Sequence, residues 1–132
     1  MNAIPPLSLA AIGLIGIGGA LGAAASPSIL AGVEPGLWEI SRSGAATQKI
    51  CFADPAELAQ FEHRGTKCTR EVVRESGSTA VVNYTCPDGG FGHTTMTVIT
   101  PRSLRIETQG IADSAPFKYK IQARLAGNCP AH

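Results

Sequence analysis

The chain of 132 residues has no run of like charges, and its formal net charge is only +1. Basic and acidic residues alternate along it, so no basic patch marks a nucleic-acid interface. Nor does it contain a Cys-x-x-Cys sequence, a spacing at which compact zinc motifs supply ligands. These absences argue against a nucleic-acid partner and against a metal, and no other cofactor is expected.

Charged side chains are also absent before Glu34. An uncharged apolar stretch, residues 7–21, is followed by Ala23 and Ala25, small residues at the spacing that signal peptidase requires. We therefore expect residues 1–25 to be a cleaved signal peptide. An uncleaved membrane anchor is the alternative, and the leader would then be the only membrane contact. The stretch is close to the lower length limit for a span, however, and its glycines weaken a helix.

Beyond a short linker, residues 26–34, the pattern is mostly that of β-strands. Along residues 117–125 apolar side chains alternate with Lys, Gln and Arg, so one face of this strand would be buried and the other solvated. Turn residues separate several further runs of this kind. The sequence predicts one domain, residues 35–132, that is mainly β: a curved or barrel-like antiparallel meander of about seven strands.

One segment departs from the strand pattern and predicts a short helix. Asp54 can cap its first turn, Pro55 suits the first helical position, and Glu57 stands where a capping box needs an acidic residue.

The four cysteines are Cys51, Cys68, Cys86 and Cys129. An even number in an exported chain predicts two structural disulfides. Of the three possible connectivities we favour Cys51–Cys68, which would bracket the helix. The second bond, Cys86–Cys129, would then tie the end of a central strand to the C-terminal tail.

Candidate chemistry is sparse. His93 follows a glycine-rich turn and could serve as a general base, but no nucleophile or positioned acid can be named beside it. Glu71 and Glu75, at i and i+4, would share one face of a strand and could form a carboxylate pair. Trp38 is the only tryptophan and is expected to anchor the first strand in the core. No catalytic residue is assigned, and Trp38 and His93 are the candidate ligand or partner contacts.

With these residues in place, the chain resembles domain-of-unknown-function family 3617, a group of small exported proteins of Gram-negative bacteria. The resemblance is carried by the Gly-Leu-Trp-Glu opening at residues 36–39, the four cysteines, and the Gly-Asn-Cys ending at residues 127–129. It implies a periplasmic location, and it implies no activity and no catalytic residues.

The leading interpretation is a periplasmic, non-enzymatic binding or interaction domain whose partner is an unidentified protein or small molecule. Secretion out of the cell is the alternative to a periplasmic location. A carrier of a small apolar ligand is the alternative, if the sheet encloses a cavity. A hydrolase-like enzyme that uses His93 or the pair Glu71 and Glu75 is less favoured. A large apolar pocket would support the carrier, and a catalytic constellation in a cleft would support the enzyme.

Overall fold

A computed structural model describes residues 25–131, together with residues 2–4, 6 and 13. Most of the predicted signal peptide therefore lies outside the described residues. Among those that are described, the structure contains no helix with the length and apolar character needed to span a membrane.

Seven strands form a single antiparallel sheet in the spatial order β2-β1-β7-β6-β5-β4-β3. The strands are β1 Gly36–Arg42, β2 Gln48–Phe52, β3 Thr69–Ser76, β4 Thr79–Thr85, β5 Phe91–Thr100, β6 Ser103–Ala112 and β7 Ala115–Gly127. The mainly β class, the number of strands and the antiparallel pairing are confirmed. The sheet is open, with β2 and β3 at its edges, so it does not close into a barrel.

Strands β3 to β7 are neighbours in chain order and form the predicted meander. The β1–β2 hairpin breaks this order, because β1 pairs with β7 at the far side of the sheet. The connection from β2 to β3 must therefore cross from one edge of the sheet to the other. It carries the predicted helix, a kinked 3₁₀ helix at Pro55–His63. Asp54 caps it, since its Oδ1 accepts a hydrogen bond from the Ala56 amide at 3.0 Å.

The core lies between this helix and one face of the sheet, which we call the inner face. Strand β7 shows how the sequence produces it. Ile121, Ala123 and Leu125 are buried, whereas Lys118, Lys120 and Arg124 at the alternate positions are exposed. The predicted orientation of this strand is confirmed, because alternate residues of a strand point to opposite faces.

The segment assigned to a linker packs against the domain. Leu30 and Val33 are buried in the core, and a single 3₁₀ turn, Ser28–Leu30, precedes Val33. Ser28 Oγ donates a hydrogen bond of 2.8 Å to Glu75 of β3. Ordered contacts with the sheet therefore begin well before β1.

The predicted disulfide connectivity is wrong. The bonds are Cys51–Cys129 and Cys68–Cys86. Strand pairing explains the second bond: Thr69 lies opposite Thr85, so the residues just outside that pair face each other, with their Cα atoms 4.2 Å apart.

The first bond follows from the position of β1 between β2 and β7. Leu37 lies opposite both Cys51 and Gly127, so the tail that follows β7 reaches β2. Loop-closure entropy gives about 4.5 kcal/mol for this bond and about 3 kcal/mol for Cys68–Cys86, because the former closes the longer loop.

Candidate functional site

The opposite face of the sheet, the outer face, carries a row of polar side chains across four strands. Asn83 lies opposite His93 in β4 and β5, His93 lies opposite Gln109 in β6, and Gln109 lies opposite Lys118 in β7. Directly opposed residues of an antiparallel pair have neighbouring side chains on one face. The register thus aligns an amide, an imidazole, a second amide and an ammonium group.

A row of apolar character runs beside this polar row, at the end of the same strands. Phe91 lies opposite Thr85 in β4 and opposite Ile111 in β6, and Ile111 lies opposite Pro116 in β7. Phe91 is 49% exposed although it is a large apolar residue. The outer face therefore has an apolar row and a polar row side by side.

The two rows surround an open depression of about 840 Å³, which we call the outer groove. Its lining is Asn83, Tyr84, Thr85, Phe91, Gly92, His93, Gln109, Gly110, Ile111, Pro116, Phe117 and Lys118. A second depression of about 520 Å³ shares His93, Gln109 and Lys118 with it. The two depressions therefore meet at the polar row, and the second extends from it along the strands toward Thr95, Glu107 and Lys120.

Two glycines lie between the rows, and neither could carry a side chain without disturbance. A Cβ atom at Gly92 would collide with the ring of Tyr84 on the inner face, and one at Gly110 would collide with the carbonyl oxygen of Phe91. The second clash is with backbone, which has little freedom to move within a paired sheet. The close approach of strands at this end of the sheet therefore requires glycine.

His93 is exposed and its Nδ1 lies 2.6 Å from Oδ1 of Asn83. An amide is a neutral partner, and it does not stabilise an imidazolium as a carboxylate does. Within the described residues the side-chain hydrogen bonds of His93 go to Asn83, and no nucleophile is placed beside it. The geometry fits a polar contact for a ligand better than a general base.

The carboxylates suggested as a pair do not share a face. Glu71 lies opposite Asn83 on the outer face, but a bulge between Val72 and Arg74 shifts the register, and Glu75 lies opposite Ala80. Glu75 accepts hydrogen bonds from Ser28 Oγ and, at 3.2 Å, from the Ile29 amide. These bonds, led by that of Ser28, hold the pKa of Glu75 below its ordinary value. The expectation that both carboxylates share one face is wrong, because a bulge inverts the alternation.

Among the residues that line the outer groove, Lys118 carries the formal charge. Lys120 pairs with Glu107 at 3.4 Å, whereas Lys118 takes part in neither of the two ion pairs found among the described residues. An anionic group bound in the groove would therefore meet an ammonium that is not held in either of these ion pairs.

Trp38, the other candidate contact, is fully buried in the core. It lies in β1 opposite Leu125 of β7, does not line the groove, and its indole Nε1 has no hydrogen-bond partner among the described residues. Its position matches the expected packing role and places it away from solvent. Of the two candidate contacts, His93 alone lies in the outer groove.

The groove residues that were not singled out from the sequence include Phe91, Ile111, Pro116 and Lys118. A signal was present, because Phe91 and Ile111 occupy the alternate positions of β5 and β6 at which their neighbours are polar. The alternating pattern places polar residues on the solvated side of a strand. An apolar residue at such a position therefore indicates exposed apolar surface.

The inner face at this end holds a polar cluster that is buried at His63 and Tyr84 and exposed at Glu62. His63 Nδ1 lies 2.9 Å from the hydroxyl of Tyr84, and Tyr119 donates a hydrogen bond of 2.5 Å to Glu62. Burial raises the pKa of both tyrosines, and the nearby Glu62 carboxylate adds to the effect. These bonds attach the end of the helix to strands β4 and β7.

Fold and site define a small, disulfide-stapled domain made of one open antiparallel sheet with a groove on its solvated face. Residues 33–129 match a family model described as protein of unknown function (DUF3617), and the chain belongs to that family. Neither the curated proteins nor the solved structures contain a match.

Proposed function

We propose that the chain is a periplasmic binding domain without catalytic activity and that its outer groove holds a small amphipathic molecule with an apolar part and an anionic head. The observation that carries the proposal is the juxtaposition, in one depression, of the apolar row with exposed Phe91 and the polar row ending at Lys118.

The dimensions of the groove support a small-molecule ligand. Small-molecule pockets measure roughly 300–1,000 Å³ and combine apolar walls with a few polar groups; the outer groove, at about 840 Å³, lies within that range. The unpaired ammonium of Lys118, together with His93 and Gln109, supplies hydrogen-bond donors for an anionic head. A protein partner could occupy the same groove, and the experiments below must distinguish it from a small-molecule ligand.

The inner face of the sheet does not offer a comparable binding site among the described residues. The inner face is filled by the helix and by fully buried side chains, among them Trp38, Met96 and Ile106. A carrier that encloses its ligand inside a closed barrel is therefore not the form we propose. The ligand would lie on the sheet and not within it.

The location follows from the cysteines and the leader. Both disulfides are of the kind that forms and persists in an oxidising compartment. We infer that residues 1–25 are removed on export and that the mature chain begins near Ser26, just before the contacts of Ser28 with Glu75. Intact-mass measurement of the exported protein checks this, and retention of the leader in the membrane fraction would contradict it.

The binding proposal is tested by calorimetry with decanoate and decanol, which share an apolar chain and differ in the head group. We expect decanoate to bind about threefold more tightly, the effect of one exposed ion pair. Lys118→Ala should abolish this difference, whereas Lys49→Ala, an exposed lysine of the edge strand β2, should preserve it.

The apolar row is tested with a matched pair of variants on β5. Phe91 and Ile99 are both 49% exposed, but only Phe91 lines the groove. Phe91→Ser should weaken decanoate about tenfold through lost apolar contact, and Ile99→Ser should leave it unchanged. Equal effects of the two substitutions would contradict the groove. If native mass spectrometry of periplasmic protein shows a bound polypeptide and no small molecule, the groove is a protein-docking surface.

A further inference from the structure

A second cluster of functional groups lies beside the Cys68–Cys86 disulfide, apart from the outer groove. Donor atoms of His63, Cys86 and Asp88 all lie within 4.8 Å of one another. Cys68 is bonded to Cys86 and adds a second sulfur atom. The fold thus brings two sulfurs, one imidazole and one carboxylate to the open end of the β3–β4 hairpin.

The imidazole of His63 is oriented as a ligand would be. Its Nδ1 is hydrogen-bonded to the Tyr84 hydroxyl, and the ring is buried. In the tautomer in which Nδ1–H donates to the phenol oxygen, Nε2 keeps its lone pair. Metal-binding histidines are typically held by such a bond through the other ring nitrogen.

Gly90 leaves space for this nitrogen. A Cβ atom at Gly90 would collide with Nε2 of His63 and would lie 3.1 Å from Oδ1 of Asp88. The Gly90 amide donates a hydrogen bond of 2.9 Å to the same Oδ1, which fixes the carboxylate and leaves its second oxygen available. The imidazole of His63 and the carboxylate of Asp88 can therefore approach each other because Gly90 has no side chain.

We propose that the dithiol form of this chain binds one thiophilic divalent cation, with Zn²⁺ as the prototype, through Cys68, Cys86, His63 and Asp88. Two thiolates, one imidazole and one carboxylate make a four-coordinate donor set of the type that Zn²⁺ accepts in tetrahedral geometry.

Oxidation of Cys68 and Cys86 to the disulfide prevents metal binding at this site. A dithiol reductant transfers two electrons and two protons to the Cys68–Cys86 bond, which yields two protein thiols and the disulfide of the reductant. On metal binding each thiol loses its proton, and the two thiolates become ligands. A sulfur held in the disulfide cannot provide a thiolate, so the bond and the metal exclude each other.

The hairpin keeps the two cysteines together after reduction. The paired residues Thr69 and Thr85 lie directly inside them, and their Cα atoms are 4.2 Å apart. Zn–S bonds of about 2.3 Å then require rotation of the cysteine side chains more than movement of the strands. Within the described residues, no comparable set of three donors includes Cys51 or Cys129.

The experiment uses Co²⁺ as a spectroscopic substitute for Zn²⁺ on protein reduced with dithiothreitol and desalted under argon. We expect one Co²⁺ per chain, with thiolate-to-cobalt absorption in the near ultraviolet and the visible bands of a tetrahedral ion. The spectrum should persist in the double variant C51S/C129S and disappear in C68S/C86S. The disulfide form should not produce it, and an identical spectrum there would overturn the gating.

A matched pair of carboxylates tests the fourth ligand. Asp88→Asn keeps an acceptor for the Gly90 amide but removes the charge, and it should weaken Co²⁺ about tenfold. Asp113→Asn, at the β6–β7 turn, should have no effect. Equal affinity of the two variants would remove Asp88 from the site.

Circular dichroism shows whether the reduced C51S/C129S protein stays folded. If it unfolds, Zn²⁺ should restore the β-sheet signal, because a metal that binds the folded form stabilises it. A folded reduced protein without the cobalt spectrum refutes the proposal. So does an unfolded one that metal does not refold.

Discussion

The two faces of the sheet are built from the same strands and differ in almost every physical respect. On the inner face, alternate residues of β5, β6 and β7 are closed over by the helix, and Met96, Ile106 and Ile121 are at most 1% exposed. On the outer face, the residues between them remain solvated and surround an open groove. The comparison teaches that packing uses one face of this sheet and leaves the other available for binding.

The inner face also accepts polar groups that are satisfied by hydrogen bonds, and the buried Nε1 of Trp38 is an exception. Thr94 donates a hydrogen bond of 2.7 Å to the Ala59 carbonyl and lies 2.8 Å from the Thr108 hydroxyl. Arg70 donates one of 2.6 Å to Gln60. Unpaired buried polar groups are costly, so these groups form hydrogen bonds, and the bonds join the helix to the sheet. The polar groups of the outer face remain available to a ligand.

The largest expected difference between the faces is at two adjacent residues of β7. Ile121→Ala should lower the free energy of unfolding by about 2–5 kcal/mol, because it leaves a cavity in a packed core. Lys120→Ala should change it by about 0.5 kcal/mol or less, as at ordinary surface sites. Urea denaturation midpoints of the two variants provide the measurement. Equal losses would mean that the two faces are not distinguished as described.

A smaller effect is expected at the close approach of β5 and β6. Gly110→Ala should destabilise the protein by about 1–3 kcal/mol, since the new methyl group would meet the backbone of Phe91 and strands cannot separate freely.

Gly32 is the matched control for this substitution, because a Cβ atom there would have no neighbour within 4 Å. Gly32→Ala should change the stability by about 0.5 kcal/mol or less. If Gly110→Ala proves equally harmless in thermal unfolding, the strands that form the floor of the groove are not as close as we describe.

The smallest effect is expected at Glu75, and it depends on pH. Because the folded state lowers the pKa of Glu75, its bonds to Ser28 and Ile29 add stability above the ordinary carboxyl pKa. That stability is lost as pH falls through the lowered value. Glu75→Gln should therefore be less stable than the native protein at pH 7, and the difference should shrink in acid.

Glu71→Gln, at the outer-face position of the same strand, provides the comparison for Glu75→Gln. Chemical denaturation of both variants at neutral and acidic pH measures the two differences. A difference at Glu75 that is constant with pH, or a larger one at Glu71, would contradict the role of Glu75 in holding the N-terminal segment.

Much of the fold could be predicted because it depends on local pattern. The alternation along β7 and the cap at Asp54 each arise from residues close in the chain. The bulge beside Val73 could not be predicted in the same way, because it inverts the alternation without a mark in the composition. The faces of Glu71 and Glu75 were therefore misassigned.

The site could be predicted only in part. His93 was identified from its position after a glycine-rich turn, but its neighbours Gln109 and Lys118 come from strands that are distant in sequence. Which residues share a groove depends on the register of four strands, and register is set by long-range pairing and burial.

By itself the sequence determined the mainly β class, the inner and outer residues of the last strand, the helix after Asp54 and the presence of two disulfides. These follow from local alternation, capping and cysteine count. Only the tertiary structure decided that β1 lies between β2 and β7, that the cysteines pair as Cys51–Cys129 and Cys68–Cys86, and that His63 and Asp88 meet the second pair. The physical reason is that non-local strand pairing, which no single segment encodes, sets those distances.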